Sequence, residues 1–127
     1  MNKPSNIVKV PATVGIDLFR KWFVFLKPFH NLTSREIDIV ACFVKERYEL
    51  SKVIADEALL DKVAMSDDIK KKIREECGIA LPHFRVIMSK LKKEKVIVGN
   101  KINPHYIPNF KPGDTSFSVL FYYDLKE

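Results

Sequence analysis

The 127-residue chain has few of the residues that form flexible linkers between domains, and it lacks long apolar segments that would enter a membrane. Four glycines and seven prolines leave no room for a low-complexity linker, so one domain with one core is expected. The start, MNKPSNIVKVPATVG, has no apolar segment of the kind that a secretory signal needs. The longest apolar run near it, WFVFL, is far too short to span a bilayer. We predict a cytoplasmic protein with no membrane partner.

The sequence also lacks the patterns of metal sites and of common active sites. Cys42 and Cys77, with three scattered histidines, match no metal-ligand spacing, and they predict buried thiols in a reducing compartment. No glycine-rich phosphate loop and no nucleophile motif occurs. We therefore predict neither an enzyme nor a cofactor, a metal site or a small-molecule substrate.

The charge balance is basic. The formal net charge is +6 and the isoelectric point about 9.3, which is compatible with nucleic acid or with an acidic protein as a partner. The cations and the acids are also segregated along the chain. Residues 85–101 carry many lysines and one acid, whereas residues 56–68 carry five acids and one lysine. Such polarity would favour docking to a polyanion.

The N-terminal quarter, residues 1–30, contains an arm and an aromatic helix. The arm, NIVKV, lies between two prolines and could form a short edge strand or a docked arm. In VGIDLFRKWFVFLKPF, helical spacing places Ile16, Phe19, Phe23 and Leu26 on one face, and Pro28 should end the helix. The aromatic cluster of this helix leaves two interpretations open, namely core or an exposed dimer or docking surface. Its members are Phe19, Trp22, Phe23, Phe25 and Phe29.

Residues 31–50 predict a well-capped helix. Thr33 is a natural N-cap, Glu36 completes a capping box, and Leu32 and Ile37 occupy the staple positions. The apolar stripe of this helix comprises Ile37, Val40, Ala41, Val44 and Tyr48.

Residues 51–77 predict a connection with a short helix and then a second capped helix. The connection within residues 51–65 opens an acidic zone. Ser66 is the expected N-cap of the next helix, whose inner face carries Ile69 and Ile73 and which should run to Cys77. The acids of this zone are Asp56, Glu57, Asp61, Asp67 and Asp68.

A tight helical corner follows, and then a hairpin. Gly78 suits the left-handed position that stops a helix, and Pro82 suits the first turn of the next one. The inner stripe of that next helix comprises Phe84, Ile87, Met88 and Leu91. The segment VIVGNKIN predicts a hairpin around Gly99 and Asn100. After a proline-rich loop, FSVLFYYDL (117–125) predicts a closing strand with Phe117, Val119, Phe121 and Tyr123 on one face.

Residues 31–103 resemble the winged helix-turn-helix domains of transcription factors and replication initiators. The first helix of these domains, with its cap, is resembled by LTSREIDIVACFV. Their supporting helix, turn and recognition helix are resembled by IREECGIALPHFRVIMSKLKKEKVIV, and their wing is resembled by VIVGNKIN. The predicted fold is mainly α with a small β component, namely a winged helix-turn-helix with an N-terminal helical extension and a C-terminal strand (104–127). The chain departs from the family in the long connection at 49–65 and in ALPHF, which has no Ser or Thr cap.

The resemblance implies binding of double-stranded DNA by a transcription or replication accessory. Arg85 suits a guanine edge, and Ser89 could reach a base or a phosphate. His83 is expected to start the helix rather than to read bases, and Lys101 could touch the neighbouring backbone. The expected phosphate contacts are Lys90, Lys92, Lys93 and Lys95.

The alternative is a structural or adaptor subunit of a protein assembly. The fold is often reused for protein contacts, and the small size and proline-held tails also look like those of phage-encoded proteins. A homodimer, formed through the aromatic N-terminal helix or the last strand, is also plausible for the DNA-binding protein. The alternative predicts a larger assembly, for example a virion component at a head–tail vertex. Its expected location is the host cytoplasm or the virion. The expected partner-binding residues are Trp22, Phe23, Phe25, Phe121 and Tyr123.

Overall fold

The computed structural model describes residues 7–127 and shows a mainly helical chain with one small antiparallel sheet. The helices are α1 (Ile16–Phe25), α2 (Lys27–His30), α3 (Ser34–Ser51), α4 (Glu57–Ala64), α5 (Asp67–Glu76) and α6 (Leu81–Lys93). Two strands follow, β1 (Ile97–Val98) and β2 (Lys101–Ile102), and then a 3-10 turn at Pro104–Tyr106. The prediction of a mainly α fold with a small β component is confirmed. Within residues 7–127, no helix is long and apolar enough to cross a membrane.

The central helix is α3, and it begins as predicted. The Thr33 hydroxyl accepts a bond from the Glu36 N–H at 3.3 Å, and the Glu36 carboxylate accepts one from the Thr33 N–H at 2.8 Å. Burial extends beyond the predicted stripe, since Ile39 and Phe43 are fully buried as well. This helix contacts α1, α4, α5 and α6, so one stripe cannot describe its buried surface.

The chain bends between α1 and α2. The first helix ends at Phe25, and Pro28 lies in the first turn of α2, where its missing N–H breaks no helical bond. The predicted stop at Pro28 is thus a bend at Leu26 followed by one more helical turn. That turn brings His30 into the core, where the side chain is 1% exposed.

The next two helices start at side-chain caps. An Asp56 carboxylate oxygen accepts a bond from the Leu59 N–H at 3.3 Å and so begins α4. The Ser66 hydroxyl accepts one from the Ile69 N–H at 3.4 Å and so begins α5, as predicted. The short helix that the sequence suggests within residues 51–65 is therefore present as α4.

A tight corner joins α5 to α6. Gly78 adopts φ 62°, which stops α5, and Pro82 lies in the first turn of α6. Ala80 precedes α6 without any side-chain cap, as the sequence indicates. The predicted inner stripe of α6 is buried; its members are Phe84, Ile87, Met88 and Leu91.

The predicted hairpin is confirmed. Ile97 pairs with Ile102 and Val98 with Lys101. Gly99 and Asn100 connect the strands with φ 57° and 56°, and a two-residue hairpin turn of this kind requires such positive values. The hairpin follows α6 directly and packs against it.

The two ends of the described chain differ from the expectation. The arm predicted at NIVKV starts at Asn6, which lies outside the described residues, and residues 7–10 are exposed and form neither helix nor strand. The strand predicted at 117–125 is wrong. Residues 115–127 make no backbone hydrogen bond to the described part of the chain, and β1 and β2 pair only with each other. The segment instead lies against α1 through the aromatic side chains of Phe117 and Phe121.

Candidate nucleic-acid interface

A groove runs between α5 and α6; half of its lining residues are cations, and Leu81, Phe84 and Met88 add an apolar part. We call it the α5–α6 groove. Its cationic lining is Lys70, Lys71 and Arg74 from α5 and Arg85 and Lys92 from α6. Ser89 lies between the two α6 cations, and Asp67 is the acid that lines the groove.

Helical periodicity explains why these side chains meet. On α5, Lys70 and Arg74 are four residues apart and therefore lie on one face. On α6, Arg85, Ser89 and Lys92 follow at i, i+4 and i+7, again on one face. The buried residues of both helices face α3, and so the polar flanks of the two helices lie next to each other across the corner.

The cations of the groove are largely free of acidic partners. Among residues 7–127, no carboxylate oxygen lies within 4.0 Å of the charged nitrogens of Lys70, Arg74, Arg85 or Lys92. Lys71 reaches Glu75 only at 4.0 Å, and both side chains are well exposed. The groove therefore presents four cations, Lys70, Arg74, Arg85 and Lys92, that no carboxylate of residues 7–127 pairs.

Some cations elsewhere on the helices are paired. Arg47 Nε lies 2.8 Å from Asp61 Oδ1, and both side chains are mostly buried. Lys72 Nζ lies 3.0 Å from the buried Glu46, and the hydrogen bond to Glu46 raises the pKa of Lys72. These pairs join α3 to α4 and to α5, so they hold helices together instead of presenting charge to a partner.

The structure places only some of the predicted DNA contacts in the groove. Arg85, Ser89 and Lys92 line it. Lys90 is half-buried and lies 3.9 Å from Glu36 and 4.0 Å from Glu94, so its charge is partly neutralised. The remaining predicted contacts lie outside the groove lining; they are His83, Lys93, Lys95 and Lys101.

Three groove residues were absent from the predicted contacts, because the resemblance assigns DNA binding to α6 and the hairpin. Lys70, Lys71 and Arg74 lie on α5, in the run KKKIR that follows the acidic zone. With Ile69 and Ile73 buried or half-buried, this run had to place cations on the flanks of α5. The acidic and basic segments are also less separated in space than in sequence, since Asp67 lines the same groove.

The predicted partner-binding residues do not form one surface. Phe23 is fully buried, so its assignment to a contact surface is corrected: it belongs to the core. Trp22 is half-buried and its indole N–H donates to the Tyr106 carbonyl oxygen at 2.8 Å. Phe25 and Phe121 are exposed and stack edge to face, with ring centroids 5.1 Å apart. Tyr123 is 77% exposed and lies in the segment without backbone pairing.

The two cysteines are neighbours in space. Cys42 on α3 and Cys77 at the end of α5 are half-buried, with their sulfur atoms 3.8 Å apart. Burial, together with the adjacent Cys77 thiol, raises the pKa of Cys42 to about 12, which favours the protonated thiol. No group of three or more His, Cys, Asp or Glu side chains in residues 7–127 is arranged to hold a metal ion.

No protein-family model, no curated protein and no solved structure matches this chain. Its function is therefore inferred from the order of the elements and from the chemistry of the residues that they expose.

Proposed function

We propose that the chain is a winged helix-turn-helix protein that binds double-stranded DNA as a transcription or replication accessory. Two helices joined by a glycine-containing corner and followed by a hairpin support this proposal. In this proposal α6 is the recognition helix, α5 is the supporting helix and the β1–β2 hairpin is the wing.

The observation that supports DNA binding best is the set of cations in the α5–α6 groove that have no acidic partner within residues 7–127. A lysine already paired with a carboxylate gains little from a phosphate, because it must give up the first partner. Unpaired cations on a rigid pair of helices can instead displace the counterions of DNA, and this release drives binding.

The other cations near α6 extend this surface. Lys93 and Lys95 are exposed and follow Lys92 in the sequence toward the hairpin, and Lys101 is exposed on β2. Each suits a phosphate contact, which fixes the position of a protein on DNA. Lys90 contributes less, because Glu36 and Glu94 hold its ammonium group.

Fluorescence anisotropy with a labelled duplex of about 20 base pairs tests the proposal at about 50 mM and about 200 mM salt. With about five phosphate contacts, the affinity should fall on the order of 10²–10³-fold between the two salt concentrations. The variant Lys70→Glu with Lys92→Glu should weaken binding at the lower salt concentration by at least about tenfold, because it replaces two cations by two anions.

A matched control carries the same charge change elsewhere. Lys21 on α1 and Lys62 on α4 are exposed and lie outside the groove lining. Lys21→Glu with Lys62→Glu should keep most of the affinity, and circular dichroism should show the same helix content for both double variants. Absence of duplex binding at low salt, or equal loss in both double variants, would contradict the proposal.

A second candidate is an adaptor subunit of a protein assembly, for example in a phage virion. The observation that favours it is the aromatic surface formed by Phe25, Phe29 and Phe121, whose side chains are 59%, 62% and 37% exposed. Exposed aromatic clusters are typical of protein contacts. Sedimentation of the natively expressed protein should then show a large complex. The double variant Phe25→Ser with Phe29→Ser should dissociate this complex. A monomer in that measurement would exclude this candidate.

A further inference from the structure

We infer, on the basis of the proposed function, that the α5–α6 groove binds the sugar–phosphate backbone of duplex DNA with little preference for base sequence. This goes further than the guanine contact expected for Arg85, because it concerns which part of the duplex the groove can recognise.

The side chains of the two helices lack the groups that read adenine, although their Arg and Lys side chains could contact guanine. Bidentate contacts to adenine need Asn or Gln, and contacts to guanine need the planar guanidinium of Arg or the ammonium of Lys. Residues 67–93, which comprise α5, the corner and α6, contain no Asn, no Gln and no Thr. The only guanidinium groups in this range belong to Arg74 and Arg85.

The position of Arg85 favours a phosphate contact. Its side chain lines the groove together with Lys92 and with the cations of α5. It is therefore one member of a band of positive charge that crosses from one helix to the other. Such a band can follow one strand of the DNA backbone, whose phosphates carry no sequence information.

Part of the exposed surface of α6 outside this band is apolar. Val86 follows Arg85 and is 66% exposed, and Leu81 in the first turn is 42% exposed. Pro82, also in the first turn, has no backbone N–H. A recognition helix usually contacts base edges through its N-terminal residues, and here the first two are the apolar Leu81 and Pro82, followed by the exposed His83.

Single-stranded DNA should be the poorer ligand. Proteins that bind single strands combine a basic groove with exposed aromatic rings on which bases stack. The aromatic residue of the groove lining is Phe84, and it is only 4% exposed. The groove offers charge without a stacking platform, which suits the regular phosphate spacing of a duplex.

The test compares duplexes of equal length with A·T-rich, mixed and G·C-rich sequences at the same salt concentration. The Kd values should agree within about threefold, and the slope of log K against log salt should be about −4 for every duplex. A single strand of the same length should bind more weakly. A preference above about a hundredfold for one duplex, a common motif after selection from random duplexes, or tighter binding of the single strand would overturn the inference.

Arg85 provides a sharper comparison. Arg85→Lys keeps the charge and removes the planar guanidinium, so binding to every duplex should change by less than about threefold. Arg85→Ala should reduce the magnitude of the salt slope by about one on every duplex. A loss above about tenfold for Arg85→Lys on the G·C-rich duplex alone would assign base reading to Arg85 and overturn the inference. The proposed function would survive that result, whereas it fails if no duplex binds at low salt.

Discussion

The helices α5 and α6 end in the same backbone motif but with different residues at its left-handed position. In both, two backbone N–H groups after the last turn bond back to carbonyl oxygens of that turn, which is the Schellman arrangement. The four bonds join Ile79 to Arg74, Gly78 to Glu75, Val96 to Leu91 and Lys95 to Lys92, at 3.0, 3.1, 2.9 and 3.1 Å. The left-handed residue is Gly78 in α5, with φ 62°, and Lys95 in α6, with φ 59°.

The difference shows where the chain tolerates strain. Glycine adopts this conformation freely, whereas for a lysine the contact between its Cβ and the following carbonyl group costs about 1–2 kcal/mol. At Lys95 the surroundings hold the strained backbone, since the Asn103 side-chain amide donates to the Lys95 carbonyl oxygen at 2.9 Å. Strained backbone conformations cluster at functional sites, and a cation between α6 and the hairpin fits the proposed DNA contact.

A third helix end extends this comparison and gives the largest expected effect. The chain leaves α2 through Asn31, whose φ is 55°. A side chain stabilises the backbone after this residue, because His30 Nδ1 accepts a bond from the Leu32 N–H at 2.9 Å. The other ring nitrogen of His30 lies 2.6 Å from the Phe23 carbonyl oxygen, to which it donates. His30→Ala would leave both backbone groups unsatisfied and a cavity in the core. We expect the free energy of unfolding to fall by about 2–4 kcal/mol in urea denaturation.

The control for this substitution is His83→Ala. His83 is exposed on α6, so its removal should change the free energy of unfolding by less than about 0.5 kcal/mol. If His30→Ala lowers the free energy of unfolding as little as this control, the backbone conformation at the end of α2 does not depend on the imidazole.

Gly78→Lys makes the end of α5 chemically like the end of α6. The space around Gly78 is open, since a Cβ added there would meet no heavy atom within 4 Å beyond the adjoining residues, so the cost should come from φ alone. We expect a loss of about 1–2 kcal/mol in the same denaturation experiment. A neutral result would mean that the corner can relax and that the left-handed conformation at Lys95 is not costly either.

Lys95→Gly makes the opposite change at the end of α6. Relief of the left-handed lysine should raise the free energy of unfolding by about 0.5–1 kcal/mol. The same variant should reduce the magnitude of the salt slope of DNA binding by about one, because one phosphate contact is lost. A variant that becomes more stable and binds DNA with an unchanged slope would show that Lys95 has no role in the interface.

The smallest expected effect is a dependence of stability on pH that His30 creates. Burial lowers the pKa of His30 below 6.5, although the bond to the Phe23 carbonyl oxygen opposes this shift. The unfolded chain therefore binds a proton that the folded chain resists, so stability is complete above pH 6.5 and falls as the pH drops from there toward the folded-state pKa. The double variant His83→Gln with His105→Gln keeps His30, and its denaturation at a series of pH values should show this fall in stability. It should be absent in His30→Gln.

Local patterns in the sequence predicted the local structure well. The capping box at Thr33, the cap at Ser66, the corner at Gly78 and the hairpin turn at Gly99 each depend on side chains within a few residues of one another. Such features are formed wherever the segment lies in the fold, which is why the sequence is sufficient to find them.

Features that depend on distant neighbours were not predictable in this way. The alternation in FSVLFYYDL indicates a strand, but the segment pairs with neither described strand. Phe23 is an aromatic residue of the kind found at contact surfaces, and only the packing of α1 on α3 shows that it is buried. The cations of α5 likewise gain significance only because the corner brings them beside Arg85 and Lys92.

Trp22 gives the molecule a built-in optical reporter. It is the one tryptophan of the chain, and its indole ring joins α1 to the carbonyl oxygen of Tyr106, far along the sequence. Its fluorescence should therefore follow the separation of the N-terminal aromatic helix from the C-terminal loop, while far-ultraviolet circular dichroism follows all helices. Coincident midpoints of the fluorescence and circular dichroism transitions would show that both parts unfold as one cooperative unit. An earlier fluorescence transition would show that the N-terminal aromatic helix and the C-terminal loop separate first.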